Sequence, residues 1–193
     1  YRAYLVNGLL ASGFTAEKGI RGGRQEGREA SFANPSLTGR LEYAQPGLKV
    51  GASFWFGGSA NADTAVGTGT FAAPVRILSA DVRYEWGAFR LRGVAATIAI
   101  GDTDTINAVY GDSVASRISG GYVEGAYNVL AALAPATTQR LDAFVRHERF
   151  DRRARRATTV GLTYRPVSNV VFKGDYEILR DLEVLRLGVG YSF

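Results

Sequence analysis

The sequence predicts an all-β chain, a transmembrane antiparallel up-and-down β-barrel with about ten strands. Three observations carry this. Apolar and polar residues alternate at period two in segment after segment, the connections differ sharply in length, and the final segment ends on aromatic residues. No apolar run approaches the ~18 residues of a membrane-spanning helix, so a helical membrane protein is excluded.

Taken in order, Tyr1 to Gly8 reads as a weak first strand. Leu37, Gly39, Leu41 and Tyr43 then oppose Thr38, Arg40 and Glu42, and Leu48, Val50, Ala52, Phe54 and Phe56 oppose Lys49, Gly51, Ser53 and Trp55. Ala80, Val82, Tyr84 and Trp86 oppose Ser79, Asp81, Arg83 and Glu85. Phe89, Leu91, Gly93 and Ala95 alternate with Arg90, Arg92, Val94 and Ala96. The same rule places strands at Val123 to Val129, Leu141 to Glu148, Val160 to Arg165 and Val170 to Ile178. In Glu183 to Phe193, Leu185, Leu187, Val189, Tyr191 and Phe193 share one face, and Arg186, Gly188, Gly190 and Ser192 the other. A membrane barrel strand needs ~9–11 residues with one apolar and one polar face, which this segment supplies. Its closing Tyr191 and Phe193 resemble the C-terminal assembly signal of outer-membrane barrels, which implies the barrel assembly machinery as a partner.

Gln45-Pro46-Gly47, Gly87-Ala88 and Arg165 to Asn169 carry turn chemistry, whereas Leu9 to Pro35, Gly58 to Val75 and Gly101 to Arg117 are long. Counted back from a periplasmic C-terminus, the short turns fall on the periplasmic side and the long loops outside. A soluble barrel has the same alternation with its apolar face inward. The aromatic end and the loop asymmetry favour the membrane arrangement.

Composition narrows the function classes. Without cysteine there is neither a disulfide framework nor a thiolate metal site. The formal charge of +5 comes from basic residues scattered among acidic ones, which suits a basic pore or loop better than a nucleic-acid surface. No cofactor is expected. His147 is the sole histidine and falls by parity on the apolar face, so no catalytic or metal site is assigned and the chain is read as a non-enzyme. The absence of methionine points to a processed or truncated chain, read as one barrel domain over residues 1–193.

Several of these strands resemble those of the phosphate-selective porin O and P family: Gly121 to Leu130, Ala143 to Asp151, Thr159 to Pro166, Val170 to Tyr176 and Leu187 to Phe193. Tyr4 to Gly8 and Thr38 to Tyr43 are similar too. The resemblance implies the C-terminal part of a sixteen-stranded, trimeric porin in the outer membrane of a Gram-negative bacterium, with small solutes diffusing passively through a basic pore. Either upstream strands complete that barrel, or the chain closes a smaller one. A narrow, non-conducting barrel serving as an anchor or interaction partner is the alternative.

The pore-lining candidates are Arg40, Lys49, Arg83, Arg90, Arg92, Glu124, Arg146, Glu148, Lys173, Asp175 and Arg186. Arginine or lysine facing lipid at the midplane costs ~2–4 kcal/mol, so such charges belong inside. Glu42, Asp81, Glu85 and Glu177 share that face, which leaves two readings open: a weakly anion-preferring pore, or a neutral network of pairs plugging the lumen. The run Arg152 to Arg156 reads as a solvated outer loop or a lipopolysaccharide contact, and Lys18 to Arg28 as an inward constriction or disorder.

Overall fold

The computed structural model describes residues 1–27, 30–59, 72–151, 155–180 and 182–192. Ten strands form one sheet in sequence order: β1 (Arg2–Val6), β2 (Ser36–Gln45), β3 (Leu48–Gly57), β4 (Val75–Trp86), β5 (Phe89–Ile100), β6 (Arg117–Asn128), β7 (Arg140–Phe150), β8 (Arg155–Val167), β9 (Val170–Leu179) and β10 (Glu183–Tyr191). Neighbours pair antiparallel, as in Val145↔Val160↔Tyr176 across β7, β8 and β9. This is the up-and-down barrel topology. Pro166 cannot donate to the ladder, and the β8–β9 register slips between Tyr164 and Val167 around it.

Gly47 shows why the short turns need their residues. Its φ is +76°, its carbonyl accepts from the Glu85 N–H at 2.7 Å, and an added Cβ would stand 2.6 Å from the Glu85 carbonyl oxygen. Aromatic side chains gather at the same turns. The Trp86 and Phe89 rings lie 6.4 Å apart, Phe89 and Tyr127 4.7 Å, and Tyr164 and Phe172 6.4 Å. Trp86, Phe89 and Phe172 are exposed, and rings of this kind suit a membrane interface.

Burial reveals which face of the sheet avoids solvent. Leu187 is 81% exposed, Val189 74% and Leu162 51%, while Asp142 is 0% exposed and Glu177 2%. Water would favour the reverse, since apolar surface is worth ~25 cal/mol per Å² on burial and a buried carboxylate is costly unless paired. The aliphatic face is therefore built for lipid and the charged face for the interior.

The chain divides into two compact units. Unit 1 comprises Tyr1–Glu42, Gly51–Ala80 and Ala96–Ser119; unit 2 comprises Tyr43–Val50, Asp81–Ala95 and Gly120–Phe193. Unit 1 holds the apolar core: Ala11, Phe14, Ala73, Val75, Ile100, Ile106 and Val114, with Trp55, Ile77, Ile98 and Ile118 packed against it. By parity the strand residues in this set belong to the inner face, so the expectation of a polar inner face is corrected for unit 1.

The loops make that core possible. A helix, α1 (Thr103–Tyr110), buries Ile106, and two 3₁₀ turns, Ala11–Gly13 and Ile20–Gly23, bring Ala11 and Ile20 to the cluster. Asp102 accepts from the Ala73 N–H at 3.0 Å, and Asp112 accepts from the Ala16 N–H at 2.7 Å. Asn107 brackets Val114, donating to its carbonyl at 3.1 Å and accepting from its N–H at 2.7 Å. As far as residue 27, the segment Lys18 to Arg28 packs on this core through Ile20; Arg28 lies outside the described residues.

Candidate functional site

Unit 2 carries the charged inner face. On β6 to β10 the period-two rule turns Glu124, Asp142, Arg146, Arg165, Lys173, Asp175, Glu177 and Arg186 to the side opposite Val123, Val145, Leu162, Phe172 and Leu187. Antiparallel register then sets neighbours across strands, for example Glu124↔Arg146 and Arg186↔Asp175.

Asp142 on β7 is the centre. Its side chain is fully buried, and three guanidiniums converge on it: Arg140 at 2.8 Å, Arg165 at 3.0 Å and Arg90 at 3.2 Å. They come from β7, β8 and β5, so one carboxylate ties three strands. A second group joins Arg92 to Glu124 and Arg146 to Glu148 at 3.3 Å, with the Arg146 guanidinium 3.9 Å from the centre of the Tyr122 ring. A third joins Lys173 to Asp175 at 2.9 Å and Arg186 to both Asp175, at 3.6 Å, and Glu177.

Acid and base are unequally buried in these pairs. The Asp142, Glu124, Asp175 and Glu177 side chains are 0–6% exposed, whereas those of Arg92, Arg165, Lys173 and Arg186 are 38–50% exposed. The carboxylates form the floor together with Arg90, 15% exposed, and the other cations stand above them. A cavity of about 360 Å³ opens over this floor, lined by Arg90, Arg92, Arg146, Arg165 and Lys173 with Glu124 as its one carboxylate. A solute in it meets the N–H donors of these side chains together with apolar surface from Phe144, Val171 and Val189.

The sequence candidates separate accordingly. Arg90, Arg92, Glu124, Arg146, Glu148, Lys173, Asp175 and Arg186 come together in unit 2. Arg40 belongs to unit 1, where it pairs with Glu42 at 3.0 Å and donates to the Ser53 hydroxyl at 3.1 Å. Lys49 is half-buried in unit 2, and Arg83 is exposed with no ion pair among the described residues. Tyr191 ends β10 on the exposed apolar face; Phe193 lies outside the described residues, as do Arg152, Arg153 and Ala154.

The same architecture occurs among solved structures. A porin crystal structure refined at 1.8 Å superimposes with a TM-score of 0.52 at 17% sequence identity, covering 83% of this chain and 52% of the porin. The chain has a porin fold. It spans about half the length of that porin. No protein-family model matches the chain, and no curated protein matches it in sequence.

Within this porin fold, sequence reasoning missed Asp142, Arg140 and Arg165. The parity of Asp142 was visible, but its three partners come from three strands and are set by register, which alternation alone does not supply. Tyr122 and Phe144 were missed for a related reason: each is an aromatic on the charged face, and each lies beneath a cation, Phe144 with Lys173 Nζ 5.1 Å from its ring centre.

Proposed function

We propose that this chain forms part of an outer-membrane, porin-type channel of a Gram-negative bacterium, through which small solutes diffuse passively with a preference for anions. One observation carries the preference: the carboxylates are buried and their cationic partners half-exposed, so a nearly balanced set of charges presents a positive surface. An anion crossing the inner face exchanges water for guanidinium and ammonium N–H groups of Arg92, Arg146, Arg165 and Lys173, while a cation is repelled by them. The floor beneath holds these groups in place through the ion pairs. No catalytic step or cofactor enters the mechanism. The exposed aliphatic face contacts lipid and, in a trimer, neighbouring copies, and β10 with Tyr191 offers the segment that barrel assembly machinery would engage.

A second reading, a non-conducting barrel that anchors or binds a partner, draws on the apolar packing of Phe14 and Ile106 against inner-face residues of unit 1. Planar-bilayer recordings under a salt gradient separate the two. Stepwise openings with an anion-selective reversal potential, weakened in Arg92→Gln and Lys173→Gln, support the channel. A folded, inserted protein that never conducts leaves the anchor, and cation selectivity refutes the anion preference.

A further inference from the structure

The arginines of the β7–β8–β9 region that face outward have no role in the inner-face network. In the registers across β7, β8 and β9, Val145↔Val160↔Tyr176 is followed by His147↔Thr158↔Ile178, all on the outward aliphatic face. The next step along the same face is Arg149↔Arg156. Arg180 follows Leu179, the partner of Ala157, directly after the end of β9. All three are exposed. Two carboxylates lie nearby: Asp151 pairs with Arg149 at 3.1 Å, and Glu183 accepts from the Tyr176 hydroxyl. Among the described residues neither Arg156 nor Arg180 has an ion pair.

We infer that Arg149, Arg156 and Arg180 form a docking row for the phosphate headgroups of anionic membrane lipid. Neighbouring strands lie about 4.8 Å apart, so the row offers forked N–H donors at a spacing that one or two phosphates can bridge. Its depth fits as well. From the half-buried Tyr164 and exposed Phe172 rings to Arg156 a strand rises about 27 Å at ~3.4 Å per residue, about 20 Å of membrane depth at a ~40° tilt. The aliphatic band between the two levels is occupied by acyl chains, and arginine is tolerated on a lipid-facing surface only near the headgroups. A soluble anion would find no such apolar floor, which commits the row to lipid. The inference rests on the membrane reading of the outward face but not on conduction.

The test uses the full chain folded in non-ionic detergent and titrated against fluorescent phosphatidic acid, read by anisotropy. The wild type should bind it and ignore fluorescent phosphatidylcholine. Arg149→Gln/Arg156→Gln/Arg180→Gln should bind about a hundredfold more weakly, from a factor of about five per guanidinium near an anionic surface. Arg156→Gln alone, at an exposed site that leaves the fold intact, should lose about fivefold. Inorganic phosphate should not displace the lipid. Equal binding by wild type and variants overturns the row, and full displacement by inorganic phosphate overturns its assignment to lipid. Bilayer recordings on the triple variant should show unchanged ion selectivity, so loss of the channel reading and loss of the lipid row appear in different assays.

Discussion

The inner-face residues of unit 1 and those of unit 2 obey one alternation rule yet are held by different forces. β4, β5 and β6 contribute to both units. In unit 1 their inner residues are Val75, Ile77, Ile98, Ile100 and Ile118, stabilised by burial beneath Phe14 and Ile106 from loop segments. In unit 2 they include Arg90, Arg92 and Glu124, stabilised by pairing with carboxylates or cations of other strands, the next one for Arg92 and Glu124 and the next but one for Arg90. Period two selects a face; it does not select the face's chemistry. What packs on the face does that, loops in one unit and opposed charge in the other.

Substitutions can break or sharpen this contrast. The largest loss should follow Asp142→Asn, which leaves three arginines facing a neutral amide. Removing one partner of a buried ion pair costs about 3–5 kcal/mol, to be read from urea unfolding in detergent, with a shift of the reversal potential toward anions. Phe14→Ala should cost about 3 kcal/mol as a core truncation, expose residues 9–27 to proteolysis and leave unit 2 protected. Were Asp142→Asn to leave unfolding unchanged while the reversal potential shifts, the ionic floor would be a selectivity device and not a structural one. Gly47→Ala should cost about 1–2 kcal/mol, because it forces a side chain into the left-handed region and against a carbonyl. Arg83→Gln is expected to change stability by less than about 0.5 kcal/mol, since it is exposed and unpaired among the described residues. A larger effect would show that unpaired inner-face charges also carry structure.

Much of the fold was legible in the sequence because a barrel strand is a local pattern. The segments read from alternation at Leu48 to Phe56, Leu141 to Glu148 and Val170 to Ile178 match β3, β7 and β9 to within a residue or two at each end. β4 and β6 run further than expected. Val75 to Ser79 lies mostly within an apolar stretch, and Arg117 to Gly120 carries small residues that blur the period. α1 was hidden for another reason. Thr103 to Tyr110 is rich in poor helix formers, and its sole strong cue is Gly111, which closes the helix at φ +67°. The individual charges of the site were legible by parity. Their grouping was not, because the sharing of Asp142 by Arg90, Arg140 and Arg165 depends on three strands lying in one particular register.

The sheet's order, each strand beside its neighbour in sequence, bears on how the chain is assembled. Every backbone ladder can close between segments joined by one connection, so the chain adds hairpin to hairpin without threading any strand between two already paired. In lipid an unpaired strand edge has no water to satisfy it, which makes the growing edge the least stable part of any intermediate. Insertion should then proceed as a zipper whose slowest teeth are those with the longest intervening loops, β1 to β2 and β3 to β4. The tight hairpin at Gly47 and the short β8–β9 turn would be the natural places to start.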